Sequence, residues 1–169
     1  MSNIQERKIE IFKQEEVKSL DIKIGLDTVI LVHLIVHPEL FEKQGARIFN
    51  RKGIFYIHDG QLDDNYEIKK VLRDKYNFPR KKAEEAVNKF LKEKNIQVIP
   101  KDKSKIIITK QRQMNCINNK IYVQFPDIMY ISDFIDNGIT KVFSEDGVFI
   151  KAAAFLGLNA DRIFFPIKI

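Results

Sequence analysis

Short apolar runs alternate along this chain with longer stretches whose apolar residues recur at helical spacing, and few folds accept that order. Residues 22–26 read as a strand and 28–36 as an apolar, largely buried helix stopped by Pro38, which leaves Asp27 at the junction. Gly53 introduces a second strand over 54–57, and the polar stretch 58–65 follows it. Glu67 then lies in the first turn of a helix carrying Ile68, Val71, Leu72 and Tyr76 on one face. After the Asn77-Phe78-Pro79 break, Ala83, Ala86, Val87, Phe90 and Leu91 mark another helix, so the two form a hairpin. Residues 96–99, closed by Pro100, are a third strand. Between 101 and 125 the pattern reads as strands at 106–109 and 121–123 around an Asn118-Asn119 turn, with a helical turn over 110–116 as the alternative. Beyond Pro126, Ile128, Ile131 and Ile135 mark a helix that Gly138 ends. Residues 141–143 form a strand leading to Asp146, Phe149 to Leu156 carry the next helix, and 163–165 supply a last strand.

Parallel strands need crossover connections, so this order predicts a three-layer α/β/α sandwich with a mostly parallel central sheet. Ligands of such sheets bind beyond the carboxyl ends of the strands, where Asp27 and Asp146 fall. At 169 residues, with no linker-like stretch, one core is expected, formed by residues 21–169 and preceded by an N-terminal extension over 1–20. The balance of 44% hydrophobic and 31% charged residues is that of a globular chain and excludes a disordered one. The longest apolar run, 26–36, is interrupted by Asp27, Thr28 and His33 and is too short for a bilayer, and residues 1–20 have no apolar signal core. A cytoplasmic protein with no membrane partner is the expectation. The single Cys116 excludes an internal disulfide framework, and the net charge of +6 favours a polyanionic partner.

Asp27, Glu67, Asp127 and Asp146 each have an ordinary explanation as helix N-terminal residues, where a carboxylate meets free amides and the positive end of the dipole. Asp64 and Glu67 even have capping-box spacing. Taken together they carry more meaning: two follow apolar strands, two open helices, and in a parallel α/β fold such positions converge on one sheet edge. Gathered carboxylates raise each other's pKa unless a hard cation neutralises them, and oxygen-rich sites of this kind suit Mg²⁺ or Mn²⁺. Such ions supply what phosphodiester hydrolysis needs, an activated water and neutralised charge, with no nucleophilic side chain.

Laid out this way, the chain resembles a PIN domain from about residue 24 to its C-terminus. Gly25-Leu26-Asp27-Thr28-Val29-Ile30-Leu31 resembles the family's opening motif, an apolar strand ending in an Asp before an apolar helix. Tyr66-Glu67-Ile68-Lys69-Lys70-Val71-Leu72 resembles the segment carrying the family's Glu, with Asp59, Asp63 and Asp64 as competing assignments. Pro126-Asp127-Ile128, then Lys141-Val142-Phe143-Ser144-Glu145-Asp146, resembles its Asp-initiated helix, strand and Ser-x-Asp. The resemblance implies a catalytic and metal site of Asp27, Glu67, Asp127 and Asp146, with Ser144 holding it by hydrogen bonding. It further implies Mg²⁺- or Mn²⁺-dependent endonucleolytic cleavage of RNA, a homodimer, and an antitoxin or RNA-processing partner. An inactive RNA-binding or scaffold module is the alternative. Two departures stand out: 101–125 lacks the Ala-rich helix of many toxin-type members, and 1–20 has no counterpart.

Other residues admit duller readings. Arg80, Lys81 and Lys82 form a solvated basic cluster or a phosphate contact. Arg47, Arg51 and Lys52, interleaved with Phe49 and Phe55, resemble a single-strand groove, though these rings better fit the core. His33 and His37 share a helix face without a third zinc ligand. No G-x-x-x-x-G-K loop or G-x-S-x-G elbow is present, which leaves nucleoside-triphosphate and serine-hydrolase chemistry unsupported.

Overall fold

Strand β1 (Lys23–Leu26) is buried from Ile24 onward on both faces, as the middle strand of a covered parallel sheet must be. In this computed structural model, which describes residues 22–63 and 67–167, it is joined by β2 (Ile54–His58), β3 (Ile96–Ile99), β4 (Lys141–Ser144) and β5 (Asn159–Arg162). The sheet order is β3-β2-β1-β4-β5 and every pairing is parallel. Gly25 pairs with Tyr56 on one side and Val142 on the other. The order reverses between β1 and β4, so a crevice opens above their carboxyl ends.

The helices are α1 (Thr28–Val36), α2 (Gln44–Phe49), α3 (Glu67–Tyr76), α4 (Arg80–Glu93), α5 (Ile106–Asn118), α6 (Asp127–Asp136) and α7 (Gly147–Phe155). Alternation along the strands divides the core in two. Ile24, Leu26, Phe55, Ile57 and Phe143 pack with α1 to α4 on one face, while Val142 packs with α5, α6 and α7 residues on the other. The expected α/β/α sandwich is therefore present, with a wholly parallel sheet. Gly25 lets α6 approach closely: a Cβ there would stand 2.8 Å from the Phe134 ring.

Most elements fall where periodicity predicts them, and two do not. The hairpin expected over 106–109 and 121–123 is absent; residues 106–118 form α5. The β-branched Ile106-Ile107-Ile108 run carries strand propensity, but Thr109 and Cys116 bury one helical face, and docking on α6 overrides local preference. Arg112 fixes that docking with bonds to Ser132 O (3.0 Å), Ser132 Oγ (2.7 Å) and Asp136 Oδ1 (2.9 Å). The last strand is Asn159–Arg162 rather than 163–165. An edge strand needs backbone pairing more than apolar side chains, and Ile163 and Phe165 beyond it instead seal the first core. Helix α2 and the 3₁₀ turns Pro38–Glu42 and Asp59–Leu62 had no clear signal. The extension 1–20, Tyr66 and the capping-box residue Asp64 lie outside the described residues. Among the described residues, no helix is long and apolar enough to cross a membrane.

Candidate functional site

Because β1 ends directly in α1, Asp27 occupies the N-cap of that helix in the extended conformation (φ −77, ψ 154). Its Oδ1 accepts from Thr28 N at 2.7 Å, and its Oδ2 accepts from Ser144 Oγ at 2.6 Å across the β1/β4 crevice. Ser144, fully buried at the end of β4, also accepts the Asp146 amide at 2.9 Å. One hydroxyl thus ties two of the acids together. Asp146 caps α7 through Oδ1, which accepts from Val148 N (2.8 Å) and Phe149 N (3.3 Å). The capping explanation therefore holds for Asp27 and Asp146, and it leaves Asp146 Oδ2 without a hydrogen-bond partner among the described residues.

Asp127 begins α6 but does not cap it, since Pro126 takes the N-cap position. Among the described residues its carboxylate has no hydrogen-bond partner. Glu67 begins α3 with φ +59, a left-handed conformation unusual for a residue with a side chain. These four acids, from four separate elements, line one cavity of about 200 Å³ together with Thr28, Val29, Val32 and Val71. Of the competing assignments, Asp63 lines a neighbouring cavity with Glu67 and Asp59 lines neither.

The electrostatics follow from this gathering. Asp27 is 6% exposed, and burial pushes its carboxyl up to about 6 against the lowering bonds from Ser144 and Thr28, with Glu67 and Asp146 adding repulsion. Burial, then the charges of Asp27, Glu67 and Asp146, push Asp127 up to about 7. Among the described residues, no three His, Cys, Asp or Glu side chains already meet closely enough to hold a metal ion.

Two buried networks behind the acids escaped the sequence reading. In the first, Gln61 Nε2 donates to Leu26 O and to Thr28 Oγ1, both at 3.1 Å, and so clasps the turn carrying Asp27 from either side. Gln61 Oε1 accepts His58 N at 2.7 Å. His58 Nδ1 accepts from Gly60 N at 2.9 Å, which leaves Nε2 as the protonated nitrogen donating to Asp133 Oδ2. The usable signal was a polar Ser132-Asp133 pair inside an otherwise apolar helix, with a His just after a strand. In the second network, fully buried His33 stacks on Phe165 at 4.1 Å, and its Nε2 bonds Glu145 Oε2 at 2.8 Å. Glu145 is thereby turned toward α1 between Ser144 and Asp146. Burial keeps the His33 imidazole below its ordinary range despite Glu145.

His37 faces Glu39 at 3.3 Å while His33 holds Glu145, and among the described residues no third ligand joins the two histidines. The groove of Arg47, Arg51 and Lys52 also dissolves. Phe49 and Phe55 pack together at 4.8 Å within the core, and these cations precede β2, at the end of the sheet opposite the acids. Arg80, Lys81 and Lys82 are exposed at the start of α4.

No family model and no curated protein matches the sequence. Among solved structures, a chain in the crystal structure of VapBC2 from Rickettsia felis bound to a DNA fragment from their promoter is similar, with a TM-score of 0.61 at 12% identity. The match covers 83% of this chain and 98% of that one. At that identity the likeness shows the fold, and the fold is PIN-like.

Proposed function

We propose that this protein is a PIN-type endoribonuclease that hydrolyses RNA phosphodiester bonds with Mg²⁺ or Mn²⁺ held by Asp27, Glu67, Asp127 and Asp146. The observation that carries this reading is the convergence of four carboxylates from four elements on one cavity at the sheet's reversal point, two of them with raised pKa values. Such a cluster is costly to maintain for capping alone, because capping needs no approach between the caps. Its donors are all hard oxygens. Mg²⁺ usually keeps several of its waters and takes only one or two carboxylates directly, so a looser ring of acids fits it without a closed protein cage. When bound, such an ion supplies neutralising charge at the phosphate and an activated water.

The chain's own residues do the positioning. Ser144 and Thr28 restrain the Asp27 carboxylate, while Ser144 and the α7 amides restrain Asp146. Among the described residues, the Asp127 carboxylate and Asp146 Oδ2 have no competing hydrogen-bond partner. The net charge of +6 favours a polyanionic substrate despite this acidic centre. The likeness to a chain of VapBC2, a complex bound to DNA from its promoter, supports an antitoxin-type protein partner over an RNA-processing assembly. Growth arrest on expression, relieved by a small partner protein, is the outcome this predicts. A homodimer is consistent with the same reading, and sedimentation of the purified chain tests it.

A second reading, a catalytically silent PIN-like RNA-binding module, draws on the lack of a preformed three-ligand cluster among the described residues. Cleavage of labelled RNA and DNA with Mn²⁺, Mg²⁺ or EDTA, beside Asp146→Asn, separates the two. Metal-dependent RNA cleavage that drops at least about a hundred-fold in the variant supports the nuclease. Salt-sensitive RNA binding with no turnover supports the silent module.

A further inference from the structure

A second cavity, about 300 Å³, adjoins the acids and shares Glu67 with theirs. Its walls differ in kind: Phe125, Pro126 and Met129 present apolar surface, while Lys101 adds a cation and Asp63 a second carboxylate. Phe125 is 43% exposed, so part of its ring is open to a ligand. Tyr130 also lines the cavity although its side chain is only 1% exposed, with its ring tilted against His58 at 4.9 Å. Its hydroxyl has no hydrogen-bond partner among the described residues. Burial and the charges of Glu67, Asp127, Asp27 and Asp63 push the phenol's pKa up, so the hydroxyl remains a donor. Lys101 and Met129 continue into a further, mainly apolar cavity, where Lys103 and Ile106 stand beside Asp102 and Asp133.

An apolar wall with a half-open aromatic ring, a hydroxyl with no protein partner among the described residues and a lysine at the rim are features that suit an unpaired nucleobase with its backbone. A base in a duplex is already stacked on both faces and cannot enter such a recess. We infer that this second cavity receives the unpaired base of a nucleotide next to the scissile phosphate, stacked on Phe125 and met by the Tyr130 hydroxyl. The strand then runs on past Lys101 and Lys103. The inference rests on the nuclease reading of the acids and assigns recognition of the neighbouring base to Phe125 and Tyr130.

The test is equilibrium binding, by fluorescence anisotropy in Mg²⁺, of a short fluorescein-labelled single-stranded RNA to the full chain carrying Asp146→Asn, so that no cleavage intervenes. Phe125→Ala added to that chain should weaken binding about ten-fold, the order expected for one stacked base. A single abasic site moved along the probe should do the same at one position only, and the two changes together should cost no more than either. Tyr130→Phe, which keeps the ring, should change the preference among the four bases at that position. Lys101→Ala should reduce the salt dependence of binding. No detectable binding, binding of Phe125→Ala within about two-fold of its parent, or a flat abasic scan overturns the base pocket. Wild-type cleavage is assayed in parallel. Metal-dependent cleavage with Phe125-independent binding removes the pocket and leaves the nuclease; base-dependent binding without cleavage removes the nuclease and leaves the pocket.

Discussion

Asp27 is held in part by residues that do not line the cavity, and Gln61 is the clearest of them. Its amide satisfies three buried groups at once: Leu26 O, Thr28 Oγ1 and His58 N. Gln61→Leu keeps the approximate volume and strands all three, each carrying a desolvation cost of about 1–3 kcal/mol. Relaxation recovers part of that, so a net loss of about 2–4 kcal/mol is expected in urea unfolding. Asp27 should also lose its fixed orientation, with a fall in RNA cleavage larger than the unfolded fraction explains. A variant as stable as wild type would mean that the clasp is incidental.

Close approach of whole elements is set by single small residues, and Gly25 sits at the tightest such place. A methyl added there would stand 2.8 Å from Phe134 Cδ2 and Cε2, inside a fully buried ring that cannot swing away. Gly25→Ala should therefore cost about 1–3 kcal/mol by overpacking, read as a lower denaturation midpoint. It should also push α6, and Asp127 at its start, away from β1. At this scale the sequence was most legible where one physical signal dominated. Strands β1 to β4 showed as short apolar-rich runs, as strands of a covered parallel sheet do, and the amphipathic α3 and α4 showed by their 3.6 period. Helix α5 was misread because three consecutive isoleucines outweighed a helical face whose buried members, Thr109 and Cys116, are not strongly apolar. Strand β5 was misplaced because its Asn-Ala-Asp-Arg sequence carries no hydrophobic pattern at all. Of the candidate site, the four acids were legible as positions following strands or opening helices, and Ser144 through the resemblance of Ser144-Glu145-Asp146 to the family's Ser-x-Asp. The His58-Gln61-Asp133 and His33-Glu145 pairings were not, because such contacts join residues far apart in sequence that share no local period.

Over the whole molecule, the raised carboxyl groups couple folding to pH and to cations. Asp27 and Asp127 rise from an ordinary 3.8 to about 6 and about 7, so between those limits the folded chain binds more protons than the unfolded one. Their contribution to stability is therefore fully present below about pH 4 and is lost as pH rises through 6 to 7. Above that, both carboxylates are charged in a place that penalises charge, at a cost on the order of a few kcal/mol shared among the interacting group rather than owned by either residue. A cation that binds the cluster offsets this penalty and competes with protons for the same oxygens. Saturating Mn²⁺ should then raise the melting temperature more at pH 8 than at pH 5.5, a comparison in which other acidic groups largely cancel. Asp127→Asn removes one of the repelling charges without removing bulk. In EDTA at pH 8 it should melt higher than wild type, while its gain from Mn²⁺ shrinks. Equal Mn²⁺ gains at the two pH values would show that these carboxylates do not hold the ion, and an Asp127→Asn chain less stable than wild type in EDTA at pH 8 would show that they do not repel one another.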